Sequence, residues 1–156
     1  PSMLIADEPV SMLDASVRVE ILNLLRNIQR QRSLTLAFIT HDLSTVRHYA
    51  DRIFVMYAGR IVEQAPVEKL LDSPQHPYTQ SLLAAIADVD ADNALEEREV
   101  PGGEPPSLLT PPEGCRFHPR CPKAMAGTCD IKDPPWFEPK ADHFSACWLH
   151  DGAHQR

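Results

Sequence analysis

Proline and cysteine are distributed so unevenly that the chain cannot be one uniform fold. Ten of the 15 prolines lie between positions 101 and 139, and all four cysteines lie at or after Cys115. Residues 1–87 are one compositional regime and residues 101–150 another. The second is rich in proline and poor in aliphatic side chains, so burial alone is not expected to order it. Between them, residues 88–99 are acidic and nearly free of large apolar residues, which reads as a solvated linker. No internal repeat is present. The 156 residues have room for one ordinary domain, or one plus an appendage.

A net charge of −7 without clustered Lys or Arg argues against a nucleic-acid partner. No run approaches the ~18 apolar residues of a membrane span. The N-terminus lacks the basic-then-apolar layout of a secretory signal. Pro1 is not an initiating residue, so the sequence is expected to be a piece of a longer protein.

The first half reads as α/β. Met3-Leu4-Ile5-Ala6 is a short apolar run closed by Asp7-Glu8-Pro9, the pattern of a strand buried on both faces in a parallel sheet. An amphipathic stretch follows, with Val17, Ile21, Leu24, Leu25 and Ile28 at helical spacing and Arg18, Glu20, Asn23, Arg26 and Asn27 on much of the other face. Asp14 is placed to cap it. Residues 34–40 (LTLAFIT) read as a second strand ending at His41-Asp42, a short helix runs to about residue 50, and residues 53–57 form a third strand. Ala58-Gly59 turns the chain and residues 60–64 return as a hairpin partner. Strand, helix, strand, helix, strand predicts an open sheet with right-handed crossovers.

Ligands of such sheets sit beyond the carboxyl ends of the strands, where Asp7-Glu8 and His41-Asp42 fall. Two neighbouring carboxylates are costly to hold together unless a cation or a polarised water shares the site. One can serve a Mg²⁺ shell while the next orients a nucleophilic water, the division of labour that phosphoryl transfer needs. The plainer alternative is an acidic strand end that caps a helix.

LIADEPVSMLDAS resembles the Walker B segment and D-loop of ABC-transporter ATPases, and FITHDL resembles their switch-histidine loop. The hairpin MYAGRIVEQ and the segment PVEKLLDSP also look like that family, in the same order over residues 3–73. Val10, Met12 and Ala65 depart from its common residues without touching a charged role. The resemblance implies that Asp7 holds the Mg²⁺ shell of ATP, that Glu8 is the catalytic carboxylate, and that His41 contacts the γ-phosphate. It places Ser11 and Asp14 in the loop facing a second ATPase subunit, as homo- or heterodimer. For His41 the alternative is an imidazole satisfied by a backbone carbonyl; His48 matches no motif and reads as a surface histidine.

No G-x-x-x-x-G-K-[ST] phosphate loop and no Ser-Gly-Gly-Gln signature occur in the sequence. The family places both upstream of Walker B. The expected fold class is therefore the C-terminal portion of a P-loop NTPase carrying a small cysteine-rich metal-binding extension, a fragment that alone should not hydrolyse ATP. Residues 1–75 would be the partial ATPase core, 76–100 a helix and acidic linker, and 101–156 the extension.

The second half narrows the resemblance. His76-Pro77-Tyr78-Thr79 opens a helix over residues 76–86, which Leu82, Leu83 and Ile86 would dock. That start, together with Gly103-Glu104-Pro105-Pro106 and the run from Gly114 to Pro122, resembles the C-terminal extension of oligopeptide and dipeptide permease ATPases or their nickel relatives. Implied partners are transmembrane permease subunits and, indirectly, a peptide-binding protein; the implied location is the cytoplasmic face of the inner membrane, as a peripheral subunit.

Cys115, Cys121, Cys129 and Cys147 are spaced C-x5-C-x7-C-x17-C. Disulfides are not expected in the reducing compartment of a cytosolic ATPase. Four thiols in a core-poor module suggest a metal centre that adds the missing stability. Zinc favours tighter C-x2-4-C pairs, and four thiolates also suit an iron–sulfur cluster; the resemblance implies [4Fe–4S], with Zn²⁺ or unligated thiols as alternatives. His118 and His143 are candidate substitute ligands, and Trp136, Phe137 and Trp148 are expected to wrap the centre. Two other readings are an iron–sulfur or zinc binding module without turnover, and an ABC ATPase outside transport. The helix-plus-cysteine extension and the negative charge argue against the last.

Overall fold

The computed structural model describes residues 1–86, 102, 104 and 106–152, so the predicted acidic linker and the side chain of Ile86 lie outside the described residues. The chain divides into two compact units, Pro1–Tyr49 and Ala50–Arg156.

In the first unit, β1 (Met3–Asp7) and β2 (Thr35–Ile39) pair in parallel, Met3 opposite Thr35 and Asp7 opposite Ile39. Helix α1 (Ala15–Arg32) is the crossover between them, and α2 (Leu43–Tyr49) follows β2. Asp14 caps α1 as its sequence position requires. Its Oδ1 accepts the Ser16 and Val17 main-chain N–H groups, each at 3.0 Å, and the Ser16 hydroxyl at 2.6 Å. Ser33 ends the helix in the left-handed conformation, φ 49°. The buried stripe of α1 is centred on Leu22, with Ile21, Leu25 and Ile28 half-buried, whereas Leu24 points outward. Val10, Leu22 and Val46 make up the buried apolar residues of this unit. β1 is not buried on both faces as its apolar run suggested: Met3 is 48 % and Ile5 63 % exposed, because two strands and two helices leave one face of each strand uncovered.

The expected three-stranded parallel sheet does not form. β3 (Arg52–Tyr57) instead pairs antiparallel with β4 (Arg60–Pro66) in a four-stranded sheet of order β3-β4-β6-β5, where β5 is Phe137–Lys140 and β6 is His143–Ser145. The cause is local. Ala58 and Gly59 both have positive φ, 46° and 78°, the two-residue turn that matches strand twist, so β3 meets its partner within two residues. β3 then alternates, with Ile53, Val55 and Tyr57 buried and Phe54 and Met56 exposed, as a sheet covered on one face should.

A bulge shifts the β3–β4 register: Val55 faces Glu63 while Met56 faces Ile61. Val62 is the extra residue, and both Val62 and Glu63 end up inside. Helices α3 (Val67–Asp72) and α4 (Pro77–Ile86) follow β4, with Val67 and Leu70 in the core and Leu82 and Leu83 half-buried.

The proline-rich segment is better anchored than its composition implied. β6 pairs with β4, Glu63 opposite Ser145, and β5 pairs with β6. Phe117, 1 % exposed, stands edge-on to Tyr57 at 5.1 Å between ring centroids and lies 5.4 Å from Tyr78. The Arg116 guanidinium bonds the Ala58 carbonyl in the β3–β4 turn.

Candidate functional site

The polar ends of β1 and β2 come together in the first unit. The Glu8 N–H donates to the Ile39 carbonyl at 2.9 Å, which carries the parallel ladder one residue past β1. Glu8 itself adopts φ 47°. Its carbonyl accepts the Ser11 N–H at 3.2 Å and the Ser11 hydroxyl at 2.9 Å, closing the turn over Pro9. His41, two residues beyond β2, places Nδ1 2.8 Å from Glu8 Oε1. A carboxylate only accepts, so Nδ1 carries the proton and Nε2 faces outward on a ring that is 79 % exposed. Asp7 is exposed at the end of β1.

Arg18, assigned by sequence to the outer face of α1, ties this site together. Its guanidinium bonds Asp42 at 2.8 Å and the Leu13 carbonyl at 3.3 Å, linking the first turn of the helix to the loop that carries His41. Helical periodicity gave no sign of this, because the partner is 24 positions away. Asp14, committed to the cap, has its carboxyl held below the ordinary value by the Ser16 hydroxyl and the Val17 and Ser16 amides.

The second candidate site is a small pocket in the second unit, lined by all four cysteines. Tight turns bring them round. The Cys115 N–H donates to the Cys129 carbonyl at 2.8 Å, and His118 and Cys121 follow with N–H bonds to the carbonyls three residues earlier. Gly114, φ +66°, permits this approach: a Cβ there would lie 2.4 Å from the Cys129 carbonyl oxygen. The Met125 N–H points at Cys129 Sγ, 3.5 Å away.

All four cysteines are free thiols. Burial raises the pKa of Cys115, of Cys121 and of Cys147, the last to about 12, and the neighbouring cysteines add to each shift. Among the described residues no group of three or more His, Cys, Asp or Glu side chains is drawn together as a ready metal site. In kind the lining is what a thiolate-bound centre would need, four cysteines and no carboxylate, although burial outweighs the Lys123 ammonium and leaves the Cys121 pKa raised.

The flanking residues sort differently from expectation. His118 lines the pocket and its Nδ1 donates to the Cys115 carbonyl at 2.9 Å. His143 does not line it; it is fully buried with Nε2 2.6 Å from Glu63 Oε1. Trp148 lines the pocket with Phe137 behind it at 6.0 Å, whereas Trp136 lies on a separate cleft beside Arg60 and Arg116. His76, which the sequence marks only as the opening of a helix, is a lining residue, 1 % exposed. Burial, with a contribution from His150, lowers its pKa to about 4.

Residues 62–129 match the family described as the C-terminal region of the oligopeptide/dipeptide transporter. The chain is similar over nearly its whole length to ATP-binding proteins of peptide transport. It is 44% identical over 151 residues to the oligopeptide transport ATP-binding protein AppF of Bacillus subtilis, covering 96% of this chain and 46% of that protein. It is 48% identical over 124 residues to the dipeptide transport ATP-binding protein DppF of Haemophilus influenzae, covering 80% of this chain and 38% of that protein. The chain thus spans less than half the length of these curated relatives. Among solved structures, cbiO1 of Clostridium perfringens, part of the ABC transporter complex cbiONQ, is 32% identical over 57% of this chain and 36% of that one, with a TM-score of 0.44, a likeness too loose to fix the fold. No helix among the described residues is long and apolar enough to cross a membrane.

Proposed function

We propose that the chain is part of the ATP-binding subunit of an ABC importer that couples ATP hydrolysis to peptide uptake. The observation that carries this reading is the Glu8–His41 pair at the ends of two adjacent parallel strands. Glu8 would use one carboxylate oxygen to hold the imidazole and keep the other for a water, whose proton it takes as the water oxygen bonds to the γ-phosphorus and the bond from that phosphorus to the departing ADP oxygen breaks. His41, oriented through Nδ1, would place Nε2 toward the terminal phosphate, to which it can donate when the ring carries a proton on both nitrogens. Asp7, open beside Glu8, fits an outer-shell ligand of hydrated Mg²⁺, which neutralises phosphate charge when bound. Ser11 and Asp14 hold the turn and cap that would face a second ATPase subunit. Partners of the whole protein would be that subunit, the transmembrane permease and, through it, a peptide-binding protein, with the ATPase peripheral on the cytoplasmic face of the membrane.

In the second unit, Cys115, Cys121, Cys129 and Cys147, which line one pocket, would hold one metal centre, [4Fe–4S] as the family resemblance implies and Zn²⁺ as the alternative. Such a centre supplies covalent cross-links between loops that hydrogen bonds alone tie loosely.

The full-length subunit, assembled with its permease in liposomes, tests the function. Peptide accumulation should require ATP, and Glu8→Gln should abolish accumulation while ATP still binds. Accumulation that survives Glu8→Gln would remove Glu8 from the catalytic role.

A further inference from the structure

His76 is fixed at three points before its outer ring nitrogen is considered. Its N–H donates to Glu63 Oε2 at 3.0 Å, its carbonyl accepts the Gln80 N–H at 3.0 Å, and its Nδ1 accepts the Tyr78 N–H at 3.1 Å. The ring is therefore the side-chain cap of α4. Because Nδ1 is an acceptor, the proton of the imidazole sits on Nε2. That Nε2 is buried and has no hydrogen-bond partner, on a ring that lines the pocket of the four cysteines. A buried donor left unpaired is costly. Of the side chains lining the pocket, only the four sulfurs and His118 carry an acceptor; His118 donates from Nδ1 to the Cys115 carbonyl, which leaves its acceptor on Nε2, and His76 Nε2 is not bonded to it. A neutral thiol accepts weakly. A metal-bound thiolate or a cluster sulfide accepts well, so the missing partner would arrive with the metal.

We infer that His76 donates its Nε2–H to a sulfur of the metal centre in the cysteine pocket, as a positioning residue that steadies the centre and tunes it. This rests on the four-cysteine centre proposed above. The cap is what makes the donor reliable: the same Tyr78 amide that starts α4 selects the tautomer that points a proton at sulfur. Hydrogen bonds to cluster sulfurs raise reduction potential, and second-shell partners of metal ligands sustain affinity.

Two variants separate the cap from the donor. His76→Asn keeps a side-chain acceptor for the Tyr78 amide, asparagine being among the best cap residues, but lacks a donor at the reach of Nε2. His76→Gln carries an amide N–H near that reach. Each full chain is loaded anaerobically with ferrous iron and sulfide, and separately titrated with Zn²⁺ against a chelator. His76→Asn should keep the helix content and urea midpoint of the metal-free protein yet bind metal about 10–100-fold more weakly, with a lower midpoint potential where the loaded centre is iron–sulfur. His76→Gln should recover part of both. Equal affinity and potential in wild type and His76→Asn would overturn the hydrogen bond and leave the cysteine centre standing. A wild-type chain that takes up neither iron–sulfide nor zinc would overturn the centre and the inference together. A loss of affinity matched by an equal loss of metal-free stability would overturn the inference by assigning His76 to the cap alone.

Discussion

Glu8 Oε1 and His41 Nδ1 lie 2.8 Å apart although 33 positions separate the residues in the chain. The parallel register of β1 and β2 brings them together: Asp7 faces Ile39, and one further ladder bond from the Glu8 amide holds the carboxylate beside the loop that follows β2. Glu8 and His41, the proposed base and phosphate-sensing group, are thus one hydrogen-bonded unit. Arg18 stiffens the same loop through Asp42.

A unit should respond to mutation as a unit. In the full-length subunit, Glu8→Gln should lower steady-state phosphate release by about 10²-fold or more, the range of general-base contributions. Adding His41→Ala should cost little beyond that, because residues that act together give strongly non-additive losses. Losses that multiply across the double-mutant cycle would mean that the two side chains act independently and that their contact is incidental.

The second unit depends on a buried carboxylate. Glu63 is fully buried and accepts three hydrogen bonds, from the Gln75 amide at 2.6 Å, the His76 amide at 3.0 Å and His143 Nε2 at 2.6 Å. Glu63→Ala removes the acceptor from two main-chain donors and one ring, and breaking one partner of a buried pair costs about 3–5 kcal/mol. The urea midpoint of the metal-free chain should fall accordingly. Replacing His143 as well, with Leu, should restore only part of the loss, since the two amides stay unpaired. A change under about 1 kcal/mol would show that water replaces the carboxylate.

These features differ in how far the sequence revealed them. The Asp14 cap, the Ala58-Gly59 turn and the placement of Glu8 and His41 at strand ends were legible, because each depends on residues a few positions apart or on an ordered set of motifs; the Glu8–His41 contact itself was not. Nor was Glu63. Alternation puts it opposite Val62 across the strand, and only the bulge, a property of the β3–β4 pairing, brings both inside. Proline content likewise concealed that residues 137–145 extend the sheet. Of these two strands β5 is at the edge of the sheet, so Pro139 can sit in it without breaking a central ladder. His76 read as the start of a helix, which it is; that its ring also lines the pocket follows from where Phe117 and the cysteine turns fold back.

Metal-free protein should lose stability toward both ends of the pH range. On the acid side, His76 is buried neutral with its pKa lowered from 6.5 to about 4. The unfolded chain takes up a proton that the folded one refuses, so stability falls as pH drops from 6.5 toward 4, by on the order of 3 kcal/mol from this residue. On the alkaline side, Cys147 is raised from 9.0 to about 12, so above pH 9 the unfolded chain loses a proton that the folded one keeps, and stability falls again as pH rises. Urea midpoints from pH 4 to pH 11 should trace this dome. His76→Asn should flatten the acid limb and Cys147→Ser should shrink the alkaline limb, to which Cys115 and Cys121 also contribute, each leaving the other limb in place. An acid limb unchanged in His76→Asn would assign it to other groups.

Gly114 sets the approach of the first cysteine to the third. Its φ of +66° is unfavourable for any residue with a Cβ, and the space is closed as well: an added Cβ would meet the Cys129 carbonyl oxygen at 2.4 Å and the main chain of Asp130 and Ile131 at 3.0 Å. Backbone cannot swing aside as a side chain can, so Gly114→Ala must push the Cys115–Cys129 bond apart. Gly127 provides the control. It has a similar φ, +76°, but open space where its Cβ would stand, so Gly127→Ala carries the backbone strain without the clash. Gly114→Ala should cost about 1–3 kcal/mol more than Gly127→Ala, the range for overpacking a filled site, as read from urea unfolding of the metal-free chain. It should also lower uptake of iron and sulfide, or of zinc, under conditions where Gly127→Ala loads like the wild type. Equal stability and equal metal loading in the two variants would show that the Cys115 turn can open without consequence, and that the four thiols gather by some route other than this close approach.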